Sequence, residues 1–292
     1  MDEYFIDKAR VRASFDRAAE SYDAAAILQK LVRDEMFDRL GLIKVSPCTI
    51  LDAGCGTGHG SFQLQKRFRS AQVFSLDLAL GMLKKTYTQQ SWLSKWFGRK
   101  RLVCADIENL PIADDSIDVV WSNLALQWCN DLDQSFTEIS RVLKPNSLLI
   151  FSTFGPDTLK ELRASSSNGD KHNRTHVSRF IDMHDIGDAL TRNGFSAPIL
   201  DVERYTLTYD NVKAVMQDLK SIGANNATQG RGRGLTGKSF FKQLADQYEQ
   251  FRVDGKLPAT FEVVYGHAWT PEANKDNGLG EGVSPISFRP RR

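Results

Sequence analysis

The chain has 292 residues, of which 41% are hydrophobic and 25% charged, with a formal net charge of +2. This length allows one large α/β domain or two small ones around a sizeable core. So small a charge gives no ground for nucleic acid or a membrane surface as partner, and no run of 18 apolar residues exists to span a bilayer.

The opening Met1-Asp2-Glu3-Tyr4-Phe5 lacks a basic region followed by an apolar run, so no secretory signal is expected. Cys48, Cys55, Cys104 and Cys129 have neither C-x-x-C spacing nor nearby histidine pairs. They read as buried thiols of a reducing cytoplasm, with neither disulfide nor metal site expected.

From Val11 to about Leu42 apolar residues recur at helical spacing, with a break near Ala19–Asp23 and Gly41 as the expected stop. Strands are predicted at Thr49–Ala53, Gln72–Asp77, Arg101–Asp106, Ile117–Ser122 and Ser147–Phe154. Helical segments separate them: Ser61 to Arg69, one opening at Gly81, and Leu132 to Leu143 ended by Pro145. Such alternation means a parallel sheet wound by right-handed crossovers. Further on come a helix at Asp185–Asn193, a strand at Pro198–Tyr209, two helices at Asn211–Ile222 and Gly237–Arg252, and a last strand at Thr260–Trp269. Residues from Pro271 to Arg292 are rich in Gly, Pro, Asn and charge and are expected to be disordered.

The stretch Thr49-Ile50-Leu51-Asp52-Ala53-Gly54-Cys55-Gly56-Thr57-Gly58 organises the rest. A strand breaks into a turn whose glycines can take positive φ, and the next helix offers its N-terminus to an anion. A dinucleotide fold wants G-x-G-x-x-G, whereas D-x-G-x-G-x-G stands here. A tight strand-to-helix turn alone is the plainer alternative. Three more polar residues fall at strand ends: Asp77, placed for ribose hydroxyls; Asp106 beside Ile107, suited to an adenine edge and face; and Asn123 beside Leu124.

This order resembles the class I S-adenosylmethionine-dependent methyltransferases over roughly residues 45 to 155. The resemblance implies a Rossmann-like α/β fold with a seven-stranded, mostly parallel sheet and helices on both faces. It implies S-adenosyl-L-methionine as cofactor, held by Asp52, Gly54, Gly56, Gly58, Asp77, Leu78, Met82, Asp106, Ile107, Asn123 and Leu124. Segments outside the core narrow the family. Phe15–Asp23, Ser122–Trp128, Met216–Ala224 and Leu257–Trp269 together resemble the malonyl-acyl-carrier-protein O-methyltransferases of biotin synthesis.

That resemblance implies a single methyltransferase domain over 1–270. It divides into an N-terminal helical lid (1–45), a cofactor-binding core (46–209), a helical lid insertion (210–257) and a last strand (258–270). The implied acceptor is the free carboxylate of a malonyl thioester on acyl carrier protein, or on coenzyme A. A malonyl carboxylate is already ionised at neutral pH, so neutral donors suit it better than a base. Tyr22 and Gln127 are the candidates, with Trp128 as pocket wall. An acidic carrier wants a basic face, for which Arg231, Arg233, Lys238 and Lys242 are candidates. Two rivals share the fold: a quinone-ring or small-acid methyltransferase, and a non-catalytic assembly factor.

Overall fold

The short runs of β-branched and aliphatic residues pair into a seven-stranded sheet. They do so in a computed structural model that describes residues 4–89, 101–167, 180–224, 227–228 and 238–272. The strands are β1 Thr49–Ala53, β2 Gln72–Asp77, β3 Leu102–Cys104, β4 Ile117–Asn123, β5 Leu143–Phe154, β6 Ser196–Tyr209 and β7 Leu257–Trp269. Their order is β3-β2-β1-β4-β5-β7-β6. Neighbours from β3 to β5 are parallel, and β7 alone runs against its neighbours β5 and β6. With β2 on one side of β1 and β4 on the other, the crossovers diverge there. A crevice opens outside the C-terminal strand ends.

Helices α1 Lys8–Ala18, α2 Tyr22–Ala25, α3 Ile27–Leu42, α4 His59–Arg67 and α5 Leu80–Gln89 belong to the first half. They are followed by α6 Leu132–Val142, α7 Lys160–Ser167, α8 Met183–Arg192, α9 Val212–Ser221 and α10 Lys238–Tyr248. Side chains that accept from backbone amides start several of them. Asp7 caps α1, Asp131 α6, Asp182 α8 and Asn211 α9.

Two apolar layers sandwich the sheet. Leu28, Val32, Met36 and Leu40 of α3 and Leu64 of α4 pack with Trp121, Ile150 and Val263 on one face. Phe136 and Ile139 of α6 and Ile186 and Leu190 of α8 pack with Leu51, Val120 and Leu149 on the other. Alternation along β4 sends Trp121 and Val120 to opposite layers. Each fully buried side chain of this kind contributes roughly 1.5–3 kcal/mol.

Several boundaries differ from the sequence reading. Gly41 does not end α3, which runs on to Leu42. Strand β5 starts at Leu143, directly after α6, and not beyond Pro145. Its register against β4 slips between the Ile117 and Val119 pairs, and Asn146 has φ 55° there. The bulge lets Pro145, which has no N–H to give, sit inside a strand. Helix α7 was not predicted. Its Glu161 is buried and takes hydrogen bonds from the Thr260 amide and hydroxyl, so tertiary contacts fix a segment of low helical signal. Of the cysteines only Cys55 is buried; Cys48 and Cys104 are exposed and Cys129 is half-buried. All four are free. The tail from 273 onward lies outside the described residues.

Gly266 sits mid-strand in β7, where a Cβ would stand 2.4 Å from Phe151 Cζ and 2.6 Å from Leu200 Cδ2. Gly266→Ala is therefore expected to destabilise the fold by about 1–3 kcal/mol through overpacking, read as a lower thermal midpoint. An unchanged midpoint would mean that these two side chains give way.

Candidate functional site

Parallel pairing of β1 to β4 collects Asp52, Asp77, Asp106 and Asn123 along one edge of the sheet. At this edge the first loop is held by its own backbone. Gly54 and Cys55 donate to the Leu76 carbonyl at 2.8 and 2.9 Å, and Gly56 donates to Asp77 Oδ2 at 2.8 Å. Asp77 Oδ1 accepts from the Ala79 amide at 2.8 Å. Gly54, Gly56 and Gly58 all have positive φ, but packing separates their duties. A Cβ on Gly54 would meet Ala125 at 2.2 Å, and one on Gly58 would meet Thr86 at 2.4 Å. Gly56 instead looks toward Tyr22 Cε1, at 3.9 Å from its would-be Cβ.

Three adjoining cavities meet here among the described residues. The first is lined by Gly54, Gly56, Asp77, Leu78, Met82, Asp106, Ile107, Asn123, Leu124 and Trp128, and is crossed by Lys8 and Phe15 of α1. Lys8 forms ion pairs with Asp106 and Glu108. A second, beside α3, is lined by Asp52, Gly54, Gly56, Lys30, Arg33, Gly60, Trp121 and Asn123. The third is apolar, about 1000 Å³ with its open mouth, and is walled by Phe15, Leu124, Trp128, Phe154, Leu162, Met216 and Phe261. Its polar side chains are Tyr22, Gln29, Gln127 and Thr158, and no carboxylate, amine, guanidinium or imidazole is among its described lining. Tyr22 lines all three cavities.

Electrostatics sharpen this picture. Asp52 is buried, and burial pushes its carboxyl up to about 7, against the hydrogen bond from Ser61 Oγ at 2.5 Å. Burial likewise raises Asp77 to about 6. Trp121 Nε1 is buried without a hydrogen-bond partner among the described residues. A Cβ on Gly60 would stand 3.2 Å from Asp52 Oδ2 and 3.4 Å from that indole nitrogen, so glycine keeps this recess open. Burial raises the Tyr22 phenol, helped by the charges of Asp77 and Asp23, so it stays protonated at neutral pH.

A family model described as a methyltransferase domain matches residues 51–151. A malonyl-[acyl-carrier protein] O-methyltransferase of Methylovorus sp. (strain MP688) is 62% identical, over 99% of this chain and 97% of its own length. Another, from Gallionella capsiferriformans (strain ES-2), is 54% identical over 99% of each. The chain belongs to the malonyl-[acyl-carrier protein] O-methyltransferase family. The YcgJ protein of Bacillus subtilis superposes with a TM-score of 0.53 at 12% identity, covering 86% of this chain and 99% of that one, which establishes the fold alone.

Within this methyltransferase family member, the strand-end residues and the N-terminal Tyr22 come together as the sequence suggested. Gly58 lines none of the three cavities, because it packs on Thr86 at the start of α4. Gln127 is already engaged: its Nε2 donates to the Leu124 carbonyl at 2.6 Å and its Oε1 accepts from Thr153 Oγ1 at 3.4 Å. Arg231 and Arg233 lie outside the described residues, as does the Lys238 side chain; Lys242 is exposed on α10. Among the described residues there is no cluster of metal-ligating side chains and no helix long and apolar enough to cross a membrane. Sequence reasoning missed Gln29, Arg33 and Trp121. Trp121 hides inside a strand with an ordinary core pattern, while Gln29 and Arg33 belong to a helix that reads as packing.

The ionisation of buried Asp52 sets a pH dependence. A carboxyl raised from 3.8 to about 7 stabilises the fold in its protonated form, a contribution fully present below 3.8 and lost as pH rises to about 7. Wild-type thermal stability minus that of Asp52→Asn should therefore fall as pH rises from about 4 to about 7 and level off above that. Asp52→Asn is the needed reference because His267, held low by burial and Arg39, works the opposite way over the same range. Parallel melting curves for the two proteins would refute the assignment.

Proposed function

We infer that the chain transfers a methyl group from S-adenosylmethionine to the free carboxylate of a malonyl thioester on acyl carrier protein, in the cytoplasm, early in biotin synthesis. The observation that carries this reading is the neutral acceptor cavity, which abuts the glycine loop through Tyr22. The residues present fit such a donor. Asp77, Asp106 and Ile107 suit the ribose and adenine. Asp52 suits an ammonium group; Arg33 and the unpartnered indole N–H of Trp121 suit a carboxylate in the recess that Gly60 keeps open. When bound, the donor supplies an electrophilic methyl on a sulfonium and requires neither metal nor redox chemistry.

The protein's part is alignment and dryness. A malonyl carboxylate loses its proton near pH ~4 in water, so it arrives ready to attack and no base is needed. An arginine clamped on it would stabilise the ground state more than the transition state, whose negative charge is dispersing. Tyr22, protonated at the junction of the three cavities, can only donate to that oxygen. Gln127 keeps a second amide N–H free for the same purpose while its other contacts fix its plane. Phe15, Trp128 and Phe154 keep water away, which strengthens the nucleophile. A carbon methylation would need a base for its phenol, and the described lining of the cavity contains none.

Incubation with labelled donor and malonyl-acyl-carrier protein should produce a base-labile methyl ester, and absence of label on the carrier would defeat the reading. Tyr22→Phe should lower turnover by about tenfold or more through lost alignment, with donor affinity nearly intact. Undiminished turnover would remove Tyr22 from the chemistry.

A further inference from the structure

We propose that α9 and the first turns of α3 form the docking face for an acidic helix of the carrier protein. This rests on the methyl-transfer reading and names the partner surface for it. Lys213, Met216 and Lys220 stand at positions i, i+3 and i+7 of α9 and share one face. All three are exposed, Met216 by 42%. Met216 also lines the acceptor cavity, so the two lysines flank its mouth, about 10 Å apart along the helix.

Gln29 of α3 lines the same cavity, and its neighbours Ile27, Lys30 and Leu31 line the adjoining second cavity, where the surface is apolar and basic again. Ile27 is 58% exposed and Leu31 45%, with Lys30 exposed between them. Helix α9 packs beside α2, which leads directly into α3. The acids nearest the mouth are already engaged, and Asp38, the exposed acid of α3, lies two turns beyond Leu31. Asp34 pairs with Arg33, Asp218 accepts from Tyr209, and Asp23 accepts from Thr57 and Gln89. The mouth therefore presents uncompensated positive charge around exposed apolar side chains. That pattern complements a helix bearing carboxylates two turns apart beside apolar residues. A tethered acyl group also demands a carrier seated at the opening and not on a distant face.

The test is Lys213→Glu/Lys220→Glu, assayed with malonyl-acyl-carrier protein and with malonyl N-acetylcysteamine thioester, which has neither protein nor phosphate. KM for the carrier substrate should rise by about tenfold or more, and kcat/KM for the small thioester should stay within about twofold. Lys213→Gln/Lys220→Gln should give a smaller rise in the same direction, which covers the case in which the glutamate pair fails to fold. Equal effects on both substrates, or none on the carrier, would overturn the docking face while leaving methyl transfer standing. A wild type that methylates neither thioester would bring down both. Sedimentation showing a dimer that dissociates on charge reversal would assign the face to a second copy of the chain and overturn the proposal.

Discussion

The Asp77 carboxylate bonds the Gly56 amide with one oxygen and the Ala79 amide with the other, and the rest of the site depends on that clasp. It ties the turn after β1 to the end of β2 across the sheet edge. With the turn fixed, Gly54 can nest against Ala125 and Gly58 against Thr86, leaving Gly56 to face the cavities. The cost is a buried carboxyl whose ionisation is opposed by its own surroundings. Two charge-assisted bonds to backbone amides offset that cost.

The N-terminal segment closes over this frame through polar contacts spread along its length. Asn130 exchanges hydrogen bonds with both backbone groups of Ile6, Lys8 reaches Asp106, Asp16 accepts from the Gly81 amide, and Asp23 meets Thr57. The same segment touches the insertion between β6 and β7. Asp7 donates to the Ala227 carbonyl, and Ser21 donates to the Ser221 carbonyl. Gly223, at φ 74°, leaves room for Phe15, which would otherwise meet a Cβ at 3.0 Å. Walls of the first cavity and the apolar third are thus built from one continuous set of contacts, with Phe15, Tyr22 and Trp128 common to both.

The sheet was legible because strand ends carry their own punctuation. Asp52, Asp77 and Asn123 each follow an apolar run and precede a turn, so both the order of strands and the edge where they converge could be read. Boundaries were weaker where tertiary structure overrode local signal. Pro145 looked like a stop, yet a bulge absorbs it; Gly41 looked like a cap, yet α3 passes through it. Side chains whose role comes from position alone were not legible. Trp121 reads as core, and only the packing that leaves its N–H unpartnered sets it apart. Lys213 and Lys220 read as ordinary solvated charges until Met216 between them is seen to open onto a cavity.

Leu124 takes φ 49° just past β4, while its amide points at the Ser152 carbonyl and hydroxyl and its carbonyl at the Gln127 side chain. A leucine pays for that left-handed backbone, and the strain is held by three hydrogen bonds from neighbouring elements. Its side chain is thereby turned into the wall shared by the first cavity and the apolar third. The partition between the two chambers is consequently a rigid fixture of the backbone, set before any ligand arrives. Any widening of the apolar cavity would have to come at its far end, lined by Phe154 and Phe261, with this dividing wall left untouched.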